Sequence, residues 1–340
     1  MLKENGKQRG ACYNIMLSLG IAIGKKPLAI VPALLCTMLL SCSARKADPL
    51  RFARMFDGQC LTNAIFILKP PFGPSPKPVG KIEQSCGNSI AIDPATGTMA
   101  VPSGAVFGKL SVSIYRPPYS SASRSAMRFT PKGLVHPRQS AWDGNGNLWV
   151  ADDTADKVFE YRAPFSTATQ AAAQLEVATQ PAGLAIDSKA GLMFVTDLGG
   201  DLTCAKAACG VHVIPKPYAG KAIATLTFAR EQPFAVAVDR RGRLFVGLDK
   251  SADKGEINVY LPPFTSHESP AFSLDASGHA RALAFDPEGN LYAQLYETGG
   301  VVEFAGPIDG SRSAATLVVG CPQGSFKCAR SNWAGLAFGP

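Results

Sequence analysis

Six times along the chain a strand-like run ends in an aromatic or aliphatic residue, two further residues, a proline, and then Phe, Tyr or Ile. The copies are LKPPF (68–72), YRPPY (115–119), YRAPF (161–165), IPKPY (214–218), YLPPF (260–264) and FAGPI (304–308). Proline has no N–H to give to a ladder, so each copy must end its strand or lie on an edge. Their prolines, Pro71, Pro118, Pro164, Pro217, Pro263 and Pro307, stand 47, 46, 53, 46 and 44 residues apart. A period of this size is the mark of a repeat array, in which each unit buries its apolar face only against its neighbours.

A second element interleaves with the first. It reads IAID (90–93), SAWD (140–143), LAID (184–187), VAVD (236–239), LAFD (283–286) and, without the Asp, LAFG (336–339). After most copies comes a glycine-bearing turn and another β-branched or aromatic run, as in DGNGNLWVAD and DRRGRLFVGL. That is a hairpin. The proline motif closes a third strand, and a looser segment such as AFSLDA (271–276) supplies a fourth. Three or four strands per period and no helical pattern predict an all-β fold, a six-bladed β-propeller.

The first proline motif precedes the first LAxD strand, and the last LAxG strand ends the sequence. A ring resolves this offset if 334–339 becomes the innermost strand of a blade whose outer strands come from residues about 52–84. Closure also removes the edges an open sheet would expose.

Asp-x-x-Gly-x-Leu-x-Val, seen at Asp143–Val150 and Asp239–Val246, resembles the NHL-type repeat. The resemblance implies kinship with six-bladed folds that include calcium-dependent lactonases of the SMP-30/gluconolactonase kind, strictosidine-synthase-like proteins and noncatalytic binding propellers. Such a fold does not choose a function.

The N-terminus predicts an address. Lys25 and Lys26 precede the apolar run PLAIVPALLCTMLL (27–40), followed by Ser41 and Cys42. This is a secretory signal pattern, too short to span a bilayer, which needs about 20 apolar residues. Leu39-Leu40-Ser41-Cys42 resembles a bacterial lipobox, which implies acylation of Cys42. We therefore expect a signal over 1–41, a tether over 42–50 and the propeller over 51–340, with translation starting at Met1 or Met16. A lipid anchor would be the sole membrane contact. Ser43, by resemblance to Gram-negative sorting rules, implies the outer membrane.

Residues 1–41 carry a net four of the formal +8 charge, and no long Lys/Arg run follows. Nucleic acid is accordingly not an expected partner. Beyond Cys12, Cys36 and Cys42 there remain Cys60, Cys86, Cys204, Cys209, Cys321 and Cys328. An even number in an exported chain suggests disulfides. Cys204–Cys209 and Cys321–Cys328 are close enough to pin loops, with Cys60–Cys86 left over, although spacing alone leaves the pairing open. No Cys-x-x-Cys pair suggests zinc.

Stacking the repeats on their Asp column exposes the residues leading into each innermost strand. Seven before it stand Cys86, His136, Gln180, Gln232, His279 and Asn332; five before it stand Asn88, Arg138, Ala182, Phe234, Arg281 and Ala334. The polar and aromatic members, Asn88, His136, Arg138, Gln180, Gln232, Phe234, His279, Arg281 and Asn332, should ring one mouth of the channel as a ligand site. Neither column holds an Asp or Glu, which predicts a positive funnel without counter-charges, suited to an anionic ligand; the competing reading is that Arg138 and Arg281 fold outward to acidic loops such as Asp152-Asp153 and tie blades together.

Catalytic signals are sparse. His136 and His279 fall in opposite repeats, on the order of 10 Å apart by sheet spacing, too far to share one metal. Asp152, Asp153 and Asp156 form an acidic cluster that reads as turn-capping, since Asp152 matches Asp197 in the next repeat. Asp143-x-Asn145-x-Asn147 imitates a calcium loop, but Leu148 and Thr154 stand where Gly and Glu are required. It reads as a hairpin turn. No metal site or cofactor is expected, calcium being the one ion the resemblance allows. The expectation is a monomeric, envelope-tethered binding propeller for a peptide, glycan or envelope protein, with a periplasmic hydrolase or lyase as the alternative.

Acylation at Cys42 has a direct test. Cys42→Ser should release the protein from the membrane fraction or leave it unprocessed, since a single weaker signal binds membranes only marginally. Unchanged fractionation and an unchanged mature mass would overturn the anchor.

Overall fold

The computed structural model describes residues 54–340 apart from 60–62, 85–86, 105–109, 201–203, 205–208, 252–253, 311–313 and 321–334. Among the described residues the strands form six four-stranded antiparallel sheets. Blade 1 takes Arg54–Gln59, Ala64–Leu68 and Gly80–Glu83 and receives Leu336–Gly339 as its innermost strand. Blades 2 to 6 begin at Ala91–Ile92, Pro137–Trp142, Pro181–Asp187, Gln232–Val238 and Ala280–Phe285. Each runs outward in chain order, and the six innermost strands touch one another in a closed ring. Closure is made by pairing Arg54 with Gly339, Met55 with Phe338, Phe56 with Ala337 and Asp57 with Leu336. The propeller and its ring closure are thus as the repeat count requires.

The proline motifs explain how neighbouring blades fit. Each follows the third strand of its blade, and the peptide bond before each of the six motif prolines is cis. The next residue is then delivered into the blade before it. Tyr119 meets Phe56 edge-on at 5.1 Å between ring centroids, Phe165 stacks on Phe129 at 5.9 Å, and Tyr218 meets Trp149 at 5.5 Å. Phe264 meets Phe194 at 5.1 Å, and Phe72 of blade 1 meets Tyr292 of blade 6 at 5.9 Å. In blade 6 the position is Ile308, packed in one cluster with Phe245 of blade 5. Burying such a side chain stabilises by about 1.5–3 kcal/mol, and an aromatic pair adds about 0.5–1.5 kcal/mol. The motif is an inter-blade key.

The Asp column caps hairpins. Asp143 Oδ1 accepts from the amides of Asn145 and Asn147, and Asp239 does the same for Arg241 and Arg243. Asp286 accepts from Gly289 and Asn290. The fourth turn residue adopts positive φ, +77° at Gly146, +76° at Gly242 and +93° at Gly289, a conformation that costs glycine nothing. Asp152 is likewise consumed by its surroundings: Oδ1 accepts from Thr154 and Ala155, Oδ2 from Val135 and His136.

Cys204 and Cys209 form a disulfide. Cys42, Cys60, Cys86, Cys321, Cys328 and Asn332 lie outside the described residues, as do the signal and tether.

Removing 336–340 deprives Arg54–Gln59 of its inner partner and uncovers Phe56, which is fully buried. Loss of cooperative melting, or a sharp fall in its midpoint, is expected by calorimetry. A truncated chain that melts like the parent would mean that closure contributes nothing.

Candidate functional site

Inner strands leave the rim in the direction of the hairpin turns, so the residues preceding them gather at one mouth. A cavity of about 570 Å3 opens there, lined by His136, Arg138, Gln180, Gln232, Phe234 and Arg281 from the two rim columns. These six are brought together from blades 3, 4, 5 and 6. Asn88 is not among the lining residues: its Nδ2 donates to Pro137 O at 2.6 Å and it is buried. The adjacent Gly104 permits this, because a Cβ there would lie 2.7 Å from Asn88 Nδ2. His279 is turned towards Glu297, its Nδ1 2.5 Å from Oε1.

The remaining wall comes from a third column, of which the sequence singles out Asp153 alone, within its acidic cluster. In blades 2 to 6 the residues before the turn Asp, Ile92, Trp142, Ile186, Val238 and Phe285, pair with Met99, Leu148, Met193, Leu244 and Leu291 of the second strand. Five residues beyond those stand Gly104, Asp153, Leu198, Asp249 and Tyr296. Asp153, Leu198 and Tyr296 line the cavity, joined by Thr154 and Asp156.

This column overturns the expectation of a positive funnel without counter-charges. Arg138 directs Nε and Nη2 to one oxygen of Asp153, Oδ2, while Oδ1 lies 2.9 Å from His136 Nδ1. Arg281 Nη2 lies 2.6 Å from Asp249, and His279 faces that same carboxylate at 3.9 Å. Stacking finishes the clamp. The Arg281 guanidinium lies 3.4 Å from the Phe234 ring centroid and 4.9 Å from that of Tyr296. The physical reason is desolvation: a buried guanidinium requires an opposite charge close by. The first pair lies within blade 3, whereas the second ties blade 6 to blade 5.

Burial shapes the electrostatics. It pushes Arg138 down to about 10, against the pull of Asp153 and helped by the charge of Arg281 across the cavity. Burial also lowers Arg281 and raises Asp249, whose desolvation outweighs the opposing influence of Arg281 and His279. For Asp153 burial acts upward, yet the hydrogen bond from His136 and the charge of Arg138 prevail and hold it below the usual range. Gln180 contributes an unusual element. Its φ is +60°, its backbone N–H donates to Asp156 Oδ1 at 2.9 Å, and its buried Oε1 meets no hydrogen-bond partner among the described residues.

Below the cavity the channel is crossed by one side chain. Gln139 Oε1 accepts from Leu184 N at 3.1 Å and Val236 N at 3.5 Å, and its Nε2 donates to Arg281 O at 3.4 Å. Four inner strands therefore share one amide, and the open volume at this level falls to about 60 Å3. No group of three or more His, Cys, Asp or Glu suited to a metal occurs among the described residues.

No protein-family model matches the chain, and no curated protein matches it. Solved structures do. A functionally unknown protein from Desulfotomaculum acetoxidans is 15% identical, with a TM-score of 0.52 over 84% of this chain and 88% of that one. A protein of unknown function from Bacteroides caccae is 12% identical, with a TM-score of 0.56 over 85% and 99%. Hydrazine synthase of Kuenenia stuttgartiensis is 11% identical, with a TM-score of 0.51 over 71% and 70%. Likeness at these identities shows the fold alone.

The Arg281–Asp249 pair is a structural tie with a measurable signature. Arg281→Gln should lower stability by about 3–5 kcal/mol by leaving a buried carboxylate unpaired, and adding Asp249→Asn should recover much of the loss. Equal melting of parent and single variant in a double-mutant cycle would return the pair to the status of a free rim.

Proposed function

We propose that this chain is a noncatalytic binding propeller of NHL-like kind that takes an uncharged, hydroxyl-rich ligand, a glycan of the cell envelope, in its rim cavity. The observation that carries this reading is the matching of charges: each rim arginine is already answered by a carboxylate. An anion would gain little there and would meet Asp153 and Asp156 in the same wall. Vicinal hydroxyls, by contrast, both donate and accept. They suit a wall of guanidinium, carboxylate and amide groups whose planes are fixed in advance. Gln180 and Gln232 offer amides, and Tyr296 an aromatic side. The volume lies within the range of small-ligand sites, about 300–1,000 Å3.

In the same proposal Cys42 carries the lipid and holds a monomeric propeller at the envelope, on the outer membrane if the sorting resemblance of Ser43 applies. The lipobox-like run before Cys42 supports this, together with the disulfide Cys204–Cys209, which suits an oxidising compartment. Nucleic acid has no part in it.

Titration of the purified chain with neutral and acidic oligosaccharides tests the ligand class. Saturable binding of the neutral series is expected, weakened about tenfold by Gln180→Asn with Gln232→Ala at unchanged melting. Asn is chosen because it tolerates the positive φ at 180. Preference for the acidic series, indifference to both substitutions, or cleavage of the oligosaccharide would each overturn the reading.

A further inference from the structure

The opposite mouth of the channel, where the hairpin turns lie, differs in kind from the rim. It holds a cavity of about 610 Å3 whose walls include Val238, Phe285, Pro307, Ile308 and Phe338. Val238, Phe285 and Phe338 are the residues just before the hairpin turns of blades 5 and 6 and the last such position of blade 1, and all three are half-buried. Gly289 borders open space: a Cβ there would meet nothing within 4 Å. Where the rim is walled by amides and ion pairs, this mouth is walled by rings and aliphatic groups.

Charged residues also line it, and the buried ones are committed to partners. Asp239 is spent on the Arg241 and Arg243 amides and on Arg243 Nε at 2.7 Å, and Arg243 also donates to Ile308 O. Asp286 is spent on the amides of Gly289 and Asn290, the Asn290 side chain and the Tyr292 hydroxyl. Arg240 and Arg241 remain, exposed and without an ion pair among the described residues, and exposed Glu288 is the opposing charge on the lip. The mouth therefore combines an apolar floor with two solvated guanidinium groups.

We propose that this mouth is a second binding site, for a single acyl chain that ends in a carboxylate. The hydrocarbon would cover Phe285, Phe338 and Val238, gaining about 0.8 kcal/mol per buried CH2, while Arg240 and Arg241 receive the head group. The site is separate from the rim cavity because Gln139 crosses the channel between them. Arg54 pairs with Gly339, next to Phe338, so the chain enters the ring on this side.

The test uses the full chain carrying Cys42→Ser, so that no acyl group of its own competes. Dodecanoate, kept below its micelle concentration, should bind saturably, dodecanol more weakly, and acetate not at all. Arg240→Gln with Arg241→Gln should weaken dodecanoate about tenfold while leaving dodecanol and rim oligosaccharide binding unchanged. A photoreactive dodecanoate should label peptides within 238–243 and 285–308. Absence of dodecanoate binding, equal affinity in the double variant, or labelling confined to other peptides would overturn the proposal without touching the rim reading.

Discussion

The insertion of one bulky side chain from each blade into the blade before it governs the rest of this molecule. Phe72, Tyr119, Phe165, Tyr218, Phe264 and Ile308 occupy one repeated position, and each reaches back in the same direction round the ring. Because the contact is directional, six copies are all satisfied only if blade 1 meets blade 6, as Phe72 meets Tyr292, and Leu336–Gly339 completes the blade at that seam. Ring closure and keying are two views of a single constraint. Together they fix how close the innermost strands approach.

That spacing determines the chemistry of both mouths. At the rim it confines arginines from blades 3 and 6 to one cavity, where desolvation makes an unanswered charge costly. Asp153 and Asp249 answer them, and Phe234 and Tyr296 hold one guanidinium flat. At the hairpin mouth the same taper gathers apolar residues that sit just before the turns. Gln139 reaches from blade 3 to blades 4, 5 and 6 and separates the two environments.

The fold was legible because its signals are local. A proline that cannot donate, an Asp that caps its own hairpin and a glycine at positive φ declare themselves wherever they occur. Counting their copies was enough to require a closed ring. Much of the rim was legible too, since six of the nine expected residues line one cavity. The carboxylates were not. Asp153 follows the second strand of blade 3 and Asp249 lies within that of blade 5, and the hairpin of blade 4 is one residue longer than that of blade 3, pairing Ile186 with Met193 where blade 3 pairs Trp142 with Leu148. The match of Asp152 with Asp197 agrees with this register and sets Asp153 level with Leu198, but it reads the cluster as turn-capping and leaves Asp249 out. The partner of Arg281 belongs to another blade, a relation that periodicity does not encode. Asn88 turned aside for a reason equally remote in sequence, the lack of a side chain at Gly104.

Ring closure also has a mechanical meaning. The strand Arg54–Gln59 lies between Leu336–Gly339 on one side and Ala64–Leu68 on the other, hydrogen-bonded along both edges. Tension applied to the chain upstream of Arg54 runs along that strand and loads both ladders in shear, so their bonds share the force instead of parting one at a time. Force entering at Arg54 would thus fall on a strand paired along both edges, whereas tension on an outermost strand such as Gly80–Glu83 would peel a single ladder.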